Sequence, residues 1–202
     1  MKNTTPYEFE TLRIDTDTLI ASFVTRSGTP IRCRLIQADD AEILIDLFTH
    51  LSPESRRRRF NSSLDNIQPD RMAQEAQRLA AVDNRTVGGA ILAFAEGQNQ
   101  AELIAVARLG RLPHAPESPD AEAALVVRDD FQRQGIATRL MILLALLARR
   151  MGVEKLTASI QADNEALFAL LRHLQLPLER HTTHGETTIS LNVADLPVPD
   201  KV

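Results

Sequence analysis

The chain has 202 residues, with 23 Lys and Arg against 27 Asp and Glu, so its formal net charge is −4. Hydrophobic residues make up 44% and charged residues 25%, which suits one domain with its own apolar core and excludes wholesale disorder. The mildly acidic balance argues against a nucleic-acid partner, since non-specific binding needs a basic surface that displaces counterions. The longest apolar run, Leu140 to Ala148, has nine residues, too few to cross a bilayer, and the opening Met-Lys-Asn-Thr-Thr-Pro lacks the apolar core of a secretory leader. A soluble cytoplasmic protein without a membrane partner is expected.

Residues 1–28 read as an N-terminal extension that packs on the domain, with a turn at Ser27-Gly28. From Thr29 the punctuation becomes regular. Ile31, Cys33 and Leu35 alternate with Arg32, Arg34 and Ile36, the period of a strand with one apolar face. Asp39 is placed to cap a helix carrying Ile43, Leu44, Leu47 and Phe48, with Glu42 completing a capping box. Pro53, after Ser52, opens a second helix, where its missing N–H costs nothing. A third spans Pro69 to Ala81. Strands over Ala90 to Ala95 and Leu103 to Leu109 flank a hairpin turn at Glu96 to Gln100. After a proline-rich loop, Pro113 to Pro119, comes a strand over Ala121 to Val127 and a strongly apolar helix that Gly152 closes. Lys155 to Gln161 alternates again, Asp163 is placed to cap a helix through Leu174, and Leu178 to Val193 gives two strands around His184-Gly185. The sum is an α/β chain with about seven strands in a mixed sheet and helices on both faces. The domain is expected over 29–193, followed by a disordered tail, 194–202.

The stretch Leu125-Val126-Val127-Arg128-Asp129-Asp130-Phe131-Gln132-Arg133-Gln134-Gly135-Ile136-Ala137-Thr138 carries the chemistry. A buried strand ends and a short turn feeds a helix that starts with small residues. The first amides of that helix have no partners within it, and the helix dipole is positive there. Such a terminus binds phosphate if no bulky side chain blocks the backbone. Gly135 and Ala137 clear the approach, although a plain helix start with a glycine has the same spacing.

Gln132-Arg133-Gln134-Gly135-Ile136-Ala137 resembles the Gln/Arg-x-x-Gly-x-Gly/Ala pyrophosphate signature of the GNAT acetyltransferase superfamily. Glu122 to Val127 looks like that family's fourth strand. Gly28 to Arg34 with Asp39-Asp40-Ala41 looks like its first strand and helix. The run Leu51 to Phe60, with four arginines, is similar to the second-helix segment of the subgroup related to bacterial protein-lysine acetyltransferases. Asp163-Asn164-Glu165-Ala166-Leu167 matches the start of the fourth helix.

The resemblance implies a GNAT fold and an acetyl-CoA site between two splayed strands. The amides of Gln132, Arg133, Gln134, Gly135, Ile136, Ala137 and Thr138 would cradle the pyrophosphate. The backbone of Leu125, Val126 and Val127 would pair with the pantetheine arm, one N–H polarising the thioester carbonyl. Asn164 would hydrogen-bond the same arm, or else serve only its own helix start. The implied activity is acetyl transfer from acetyl-CoA to a primary amine, a protein lysine or a small amine, by direct attack in a ternary complex. The alternative is a GNAT-fold module that binds acyl-CoA as a sensor and does not turn over.

An amine must lose a proton before attacking, since an ammonium of pKa about 10.4 has no lone pair. Glu122 is the candidate base: it lies in an otherwise apolar strand and aligns with the strand-four Glu of the protein-acetyltransferase subgroup. Partial burial would raise its pKa into a useful range; a solvated carboxylate at a strand end is the other reading. Asp129 and Asp130 read as turn and cap residues. Two positions depart from the family pattern. Leu171 stands where many members carry a Tyr that protonates the leaving thiolate, the chain's one Tyr being Tyr7. Leu174-Gln175-Leu176 replaces a Leu-Gly-Phe turn. Arg56 to Arg59 read as a solvated helix face or as a segment that steers an acidic acceptor. The five histidines, His50, His114, His173, His181 and His184, lack ligand spacing, so no metal is expected. Cys33 reads as a core residue without a disulfide partner. Part of Leu140 to Ala148 could serve a homodimer contact.

Overall fold

The computed structural model describes residues 12–60, 67–97, 100–183 and 185–196. Along the chain it runs β1 (Arg13–Asp15), β2 (Ile20–Val24), β3 (Pro30–Leu35), α1 (Ala41–Thr49), α2 (Pro53–Phe60), α3 (Pro69–Ala80), β4 (Gly88–Ala95), β5 (Glu102–Gly110), β6 (Asp120–Val127), α4 (Ile136–Arg150), β7 (Lys155–Gln161), α5 (Glu165–His173), β8 (Glu179–Thr183) and β9 (Glu186–Asn192). The strands form one sheet in the order β1-β2-β3-β4-β5-β6-β7-β9-β8. Every neighbouring pair is antiparallel except β6 and β7.

The sheet has nine strands where about seven were expected. The additional two, β1 and β2, come from the stretch read as an extension ahead of the domain. Only Ala21 and Phe23 of β2 point inward, too short an alternation to stand out beside polar neighbours. At the other end a 3-10 turn, Val193–Asp195, follows β9, and Leu196 is buried. The rest of the expected tail, 197–202, lies outside the described residues, as do residues 1–11, which include Tyr7, and His184.

Helices cover both faces. Leu140, Leu143, Leu144 and Leu147 of α4 pack with Ile91, Ile104, Leu109 and Leu156 of the sheet. On the opposite face α1 and α3 bring Leu47 and Ala80 against Leu92, Leu103 and Val106. Strands β4 and β5 are buried on both sides and therefore read as continuous apolar runs, not as alternations. The run Ile142 to Ala145 with Leu147 and Ala148 is buried within this chain. Cys33 is fully buried, and burial pushes its thiol up to about 12, so it stays a protonated core group. Among the described residues no helix is long and apolar enough to cross a membrane, and no cluster of His, Cys, Asp and Glu could hold a metal ion.

Two caps differ from expectation. Helix α1 starts after Asp40, whose carboxylate makes no cap bond. Arg34 of β3 grips it through two bonds of 2.7 Å, and the Gln37 amide donates to it at 2.7 Å. Burial opposes ionisation of Asp40, but these donors outweigh it and hold the carboxyl below its ordinary value. The Asp39–Glu42 box therefore does not form. Helix α5 is capped by Asn164 and not Asp163: the Asn164 side chain accepts from the Leu167 amide at 3.2 Å, while Asp163 pairs with Arg57 at 2.9 Å.

Candidate active site

Strands β6 and β7 pair only over Asp120–Glu122 against Lys155–Thr157. Beyond that the two strands part, while β6 stays paired to β5 as far as Val127 opposite Ala105. The edge of β6 from Ala123 to Val127 is thus left without a strand partner. It lines a cleft of about 530 Å³ whose other wall includes Leu156 to Ile160 and the start of α5. Unpaired strand backbone is a template for an extended ligand that adds as one more strand.

The cleft runs into the turn before α4. Arg133 and Gly135 sit at φ of 60° and 85°, the left-handed region, and Gly135 is the N-cap of α4. Left-handed residues that alternate with ordinary ones can turn successive amides to one side, the geometry of an anion-binding concavity. The helix adds the amides of its first turn, which have no acceptors within it. A Cβ at Gly135 would lie 2.6 Å from the Arg139 guanidinium. Arg139 in turn donates to the Gly135 carbonyl at 3.2 Å and stacks on Phe23 at 5.0 Å. Glycine therefore keeps both the backbone angle and the open approach.

Side chains brace this turn from outside. Gln132 donates to the Val127 carbonyl at 3.1 Å and to Ser55 at 3.3 Å, so its amide ties the turn to β6 and α2. Gln134 donates to the Asp130 carbonyl at 3.0 Å and accepts from the Ser27 hydroxyl. Asp129 accepts from the Ser52 amide at 2.9 Å and from the Ser52 and Ser55 hydroxyls at 2.8 Å each. Burial opposes ionisation of Asp129, but those donors prevail and its carboxyl is held below the ordinary value. Asp130 pairs with Arg128 at 2.8 Å. Both aspartates lie in the 3-10 turn Asp129–Phe131, and Asp129 ties the start of α2 to that turn.

Leu125, Val126, Val127, Gln132, Arg133, Gly135, Ile136, Ala137, Thr138 and Asn164 all line the one cleft, while Gln134 stands behind the turn. Asn164 is buried and spends its carbonyl oxygen on the helix cap, which leaves the amide hydrogens as the part that can reach a ligand. Leu171 is buried against Ile160 and Ile189, so the position of the absent Tyr is filled by core. Gln175 takes φ of 47°, and the turn after α5 forms without a glycine.

Glu122 is exposed on β6, not partly buried as expected. It lies on the face that carries Ala124 and Val126, toward α2. The four arginines of α2 do not form one solvated face. Arg56 donates to the Phe48 and Thr49 carbonyls at 3.0 and 2.9 Å. Arg57 reaches Asp163, and Arg58 pairs with Glu54. Arg59 turns inward to line the cleft; burial first, then the charge of Arg108, pushes its guanidinium down to about 10, so it stays cationic at neutral pH. Sequence reasoning missed Arg108 and Arg139, because a lone Arg in a strand or helix carries no local signal.

A family model described as the acetyltransferase (GNAT) family matches residues 44–174. The chain belongs to the GNAT acetyltransferase family. Members of this family are acetyl-CoA-dependent N-acetyltransferases. Among solved structures, the GNAT domain of S. lividans PAT is 24% identical with a TM-score of 0.73, over 86% of this chain and 96% of that one. A cAMP-binding acyltransferase from Mycobacterium smegmatis is 25% identical with a TM-score of 0.56 over 85% of this chain, which spans only 46% of that protein. A ribosomal L7/L12 α-N-protein acetyltransferase in complex with coenzyme A is 17% identical with a TM-score of 0.60, over 80% of this chain and 93% of that one. The GNAT resemblance read from Gln132 to Ala137 and its flanking segments is therefore correct, and the fold is the GNAT fold.

Proposed function

We propose that this chain transfers the acetyl group of acetyl-CoA to a primary amine, of a protein lysine or a small molecule, by direct attack within a ternary complex. The parting of β6 from β7 immediately ahead of an open amide turn carries this reading. Free strand backbone leading into an anion cradle suits a ligand with an extended amide arm and a pyrophosphate. When bound, acetyl-CoA supplies a thioester carbonyl open to attack and a thiolate leaving group.

The chain's own residues have distinct tasks. Amides from Gln132 to Thr138 hold the pyrophosphate, with Gly135 keeping bulk away. The backbone of Leu125 to Val127 aligns the pantetheine arm, and one N–H there polarises the carbonyl. Asn164 donates its side-chain amide to the same arm. Glu122 takes the proton from the incoming ammonium, at the acceptor side of β6. No acid stands at Leu171, so the thiolate departs without help from that position.

That same buried Leu171, with an exposed Glu122, favours one second reading, a module that binds acyl-CoA without turnover. Free-thiol release from acetyl-CoA across a panel of amines, peptides and proteins separates the two. Binding of CoA without release for any acceptor would leave the sensor; absence of CoA binding would overturn both.

A further inference from the structure

Of the four arginines on α2, three are spent on Phe48 and Thr49, on Asp163 and on Glu54. The fourth, Arg59, lines the cleft together with Arg58, and its guanidinium lies 4.9 Å from the Phe60 ring centre. Strand β5 brings a second guanidinium, Arg108, close enough for its charge to act on Arg59, although Arg108 does not itself line the cleft. Arg108 pairs with Ala124 and Gly110 with Glu122, which makes Arg108 and Glu122 diagonal neighbours on one face of the sheet. Arg59 feels the positive charge of Arg108, and both arginines feel the negative charge of Glu122. Among the described residues, no hydrogen bond or ion pair engages either guanidinium. Arg78 also acts on Arg108 but is itself paired with Glu75 at 2.8 Å.

The cluster therefore holds two half-buried cations against one carboxylate. Like charges brought together out of water are costly, and neither arginine ties two elements through an ion pair. The planar guanidinium fork matches a carboxylate through two parallel bonds, which a point charge such as lysine does not offer. We propose that the acceptor amine bears a carboxylate close beside it, held by Arg59 and Arg108 while Glu122 faces the amine. This rests on the transferase reading above and names its acceptor class: an amine on an acidic molecule, not a polyamine or a bare lysine in basic surroundings.

Two matched pairs of acceptors test it. Nα-acetyl-lysine and Nα-acetyl-lysinamide share the same ε-amine and differ only in a carboxylate. Peptides Ac-Lys-Glu-NH2 and Ac-Lys-Gln-NH2 place that carboxylate on the next residue. The wild type should prefer the acidic member of at least one pair by on the order of 10–100-fold in kcat/KM, the range of a charged hydrogen-bonded contact. A preference confined to the first pair marks a small amino-acid acceptor, and one confined to the second an acidic peptide. Arg59→Gln and Arg108→Gln should each pull that ratio toward one, and Arg59→Lys should restore it only in part. Where transfer is silent, calorimetric affinities of the same pairs for the CoA-saturated protein give the same ratio. A wild-type ratio near one in both pairs, or a ratio that survives both Gln variants, overturns the proposal. Loss of CoA-dependent thermal stabilisation in the wild type would instead strike at the transferase reading itself.

Discussion

The two ends of β6 are built on opposite principles. From Ala123 onward, the cleft uses backbone: an unpaired strand edge, left-handed residues at Arg133 and Gly135, and the first turn of α4. Around Glu122, the same strand meets charged side chains from α2 and β5. The backbone half needs local conformation and empty space. The side-chain half needs three elements to arrive together, and its specificity lies in which charges they bring. On the proposed function, mutations should separate cofactor recognition from acceptor recognition.

The largest expected effect strikes the acceptor half. Glu122→Gln keeps the shape but cannot take a proton, so kcat should fall on the order of 10²–10⁴-fold at neutral pH, with CoA affinity near wild type. Rate should recover partly at high pH, where free amine exists unaided; equal turnover of both proteins would remove Glu122 from the proton's path.

Next comes the cofactor half. CoA at about 100-fold over its Kd should stabilise the wild type by roughly 2.7 kcal/mol in a thermal melt. Gly135→Glu should erase that shift, because it puts bulk and negative charge where phosphate approaches. Gly135→Ala adds no charge and should retain part of it. Undiminished CoA affinity in the Glu variant would move the cradle elsewhere.

Between the two halves stands Asp129. Asp129→Ala should cost about 1–2 kcal/mol in denaturant unfolding, less than three dry bonds to a carboxylate would give, because the group is solvent-exposed and screened. Its folded-state value is depressed below 3.8. The contribution is therefore complete above about pH 4 and is lost as pH falls through the folded value. Wild type and variant should converge in strong acid, and a gap that stayed constant below pH 3 would assign the effect to packing.

The smallest effect lies away from both. Gln175→Gly relieves a left-handed residue without touching the cleft and should raise the urea midpoint by an equivalent of roughly 0.5–1 kcal/mol. Destabilisation there would mean that the Gln175 side chain holds the turn through contacts of its own.

Legibility followed the same division. Strand β7 runs from Lys155 to Gln161 as its alternation predicted, and α4 starts after Gly135 within the stretch Gln132 to Ala137. Both are local: period, glycine position and helix start are written within a few residues. The caps expected at Asp39 and Asp163 but found at Asp40 and Asn164 show the limit, since neighbouring polar residues look alike until Arg34 and Arg57 choose between them. Likewise β1 and β2 carried too little alternation to be recognised, yet β2 supplies Phe23 under Arg139, and Ser27 beyond it reaches Gln134.

By itself the sequence determined an α/β chain, a helix start at a glycine, Gly135, and an apolar strand interrupted by Glu122, because these depend on residue size and periodicity. Only the tertiary structure decided that β6 and β7 part after Glu122 and Thr157, that Asp129 anchors α2 across 77 residues of chain, and that Arg58 and Arg59 of the run turn inward to line the cleft, with Arg59 near Arg108. Those outcomes depend on which distant side chains compete for the same donors and the same space. No local pattern encodes that competition; packing resolves it.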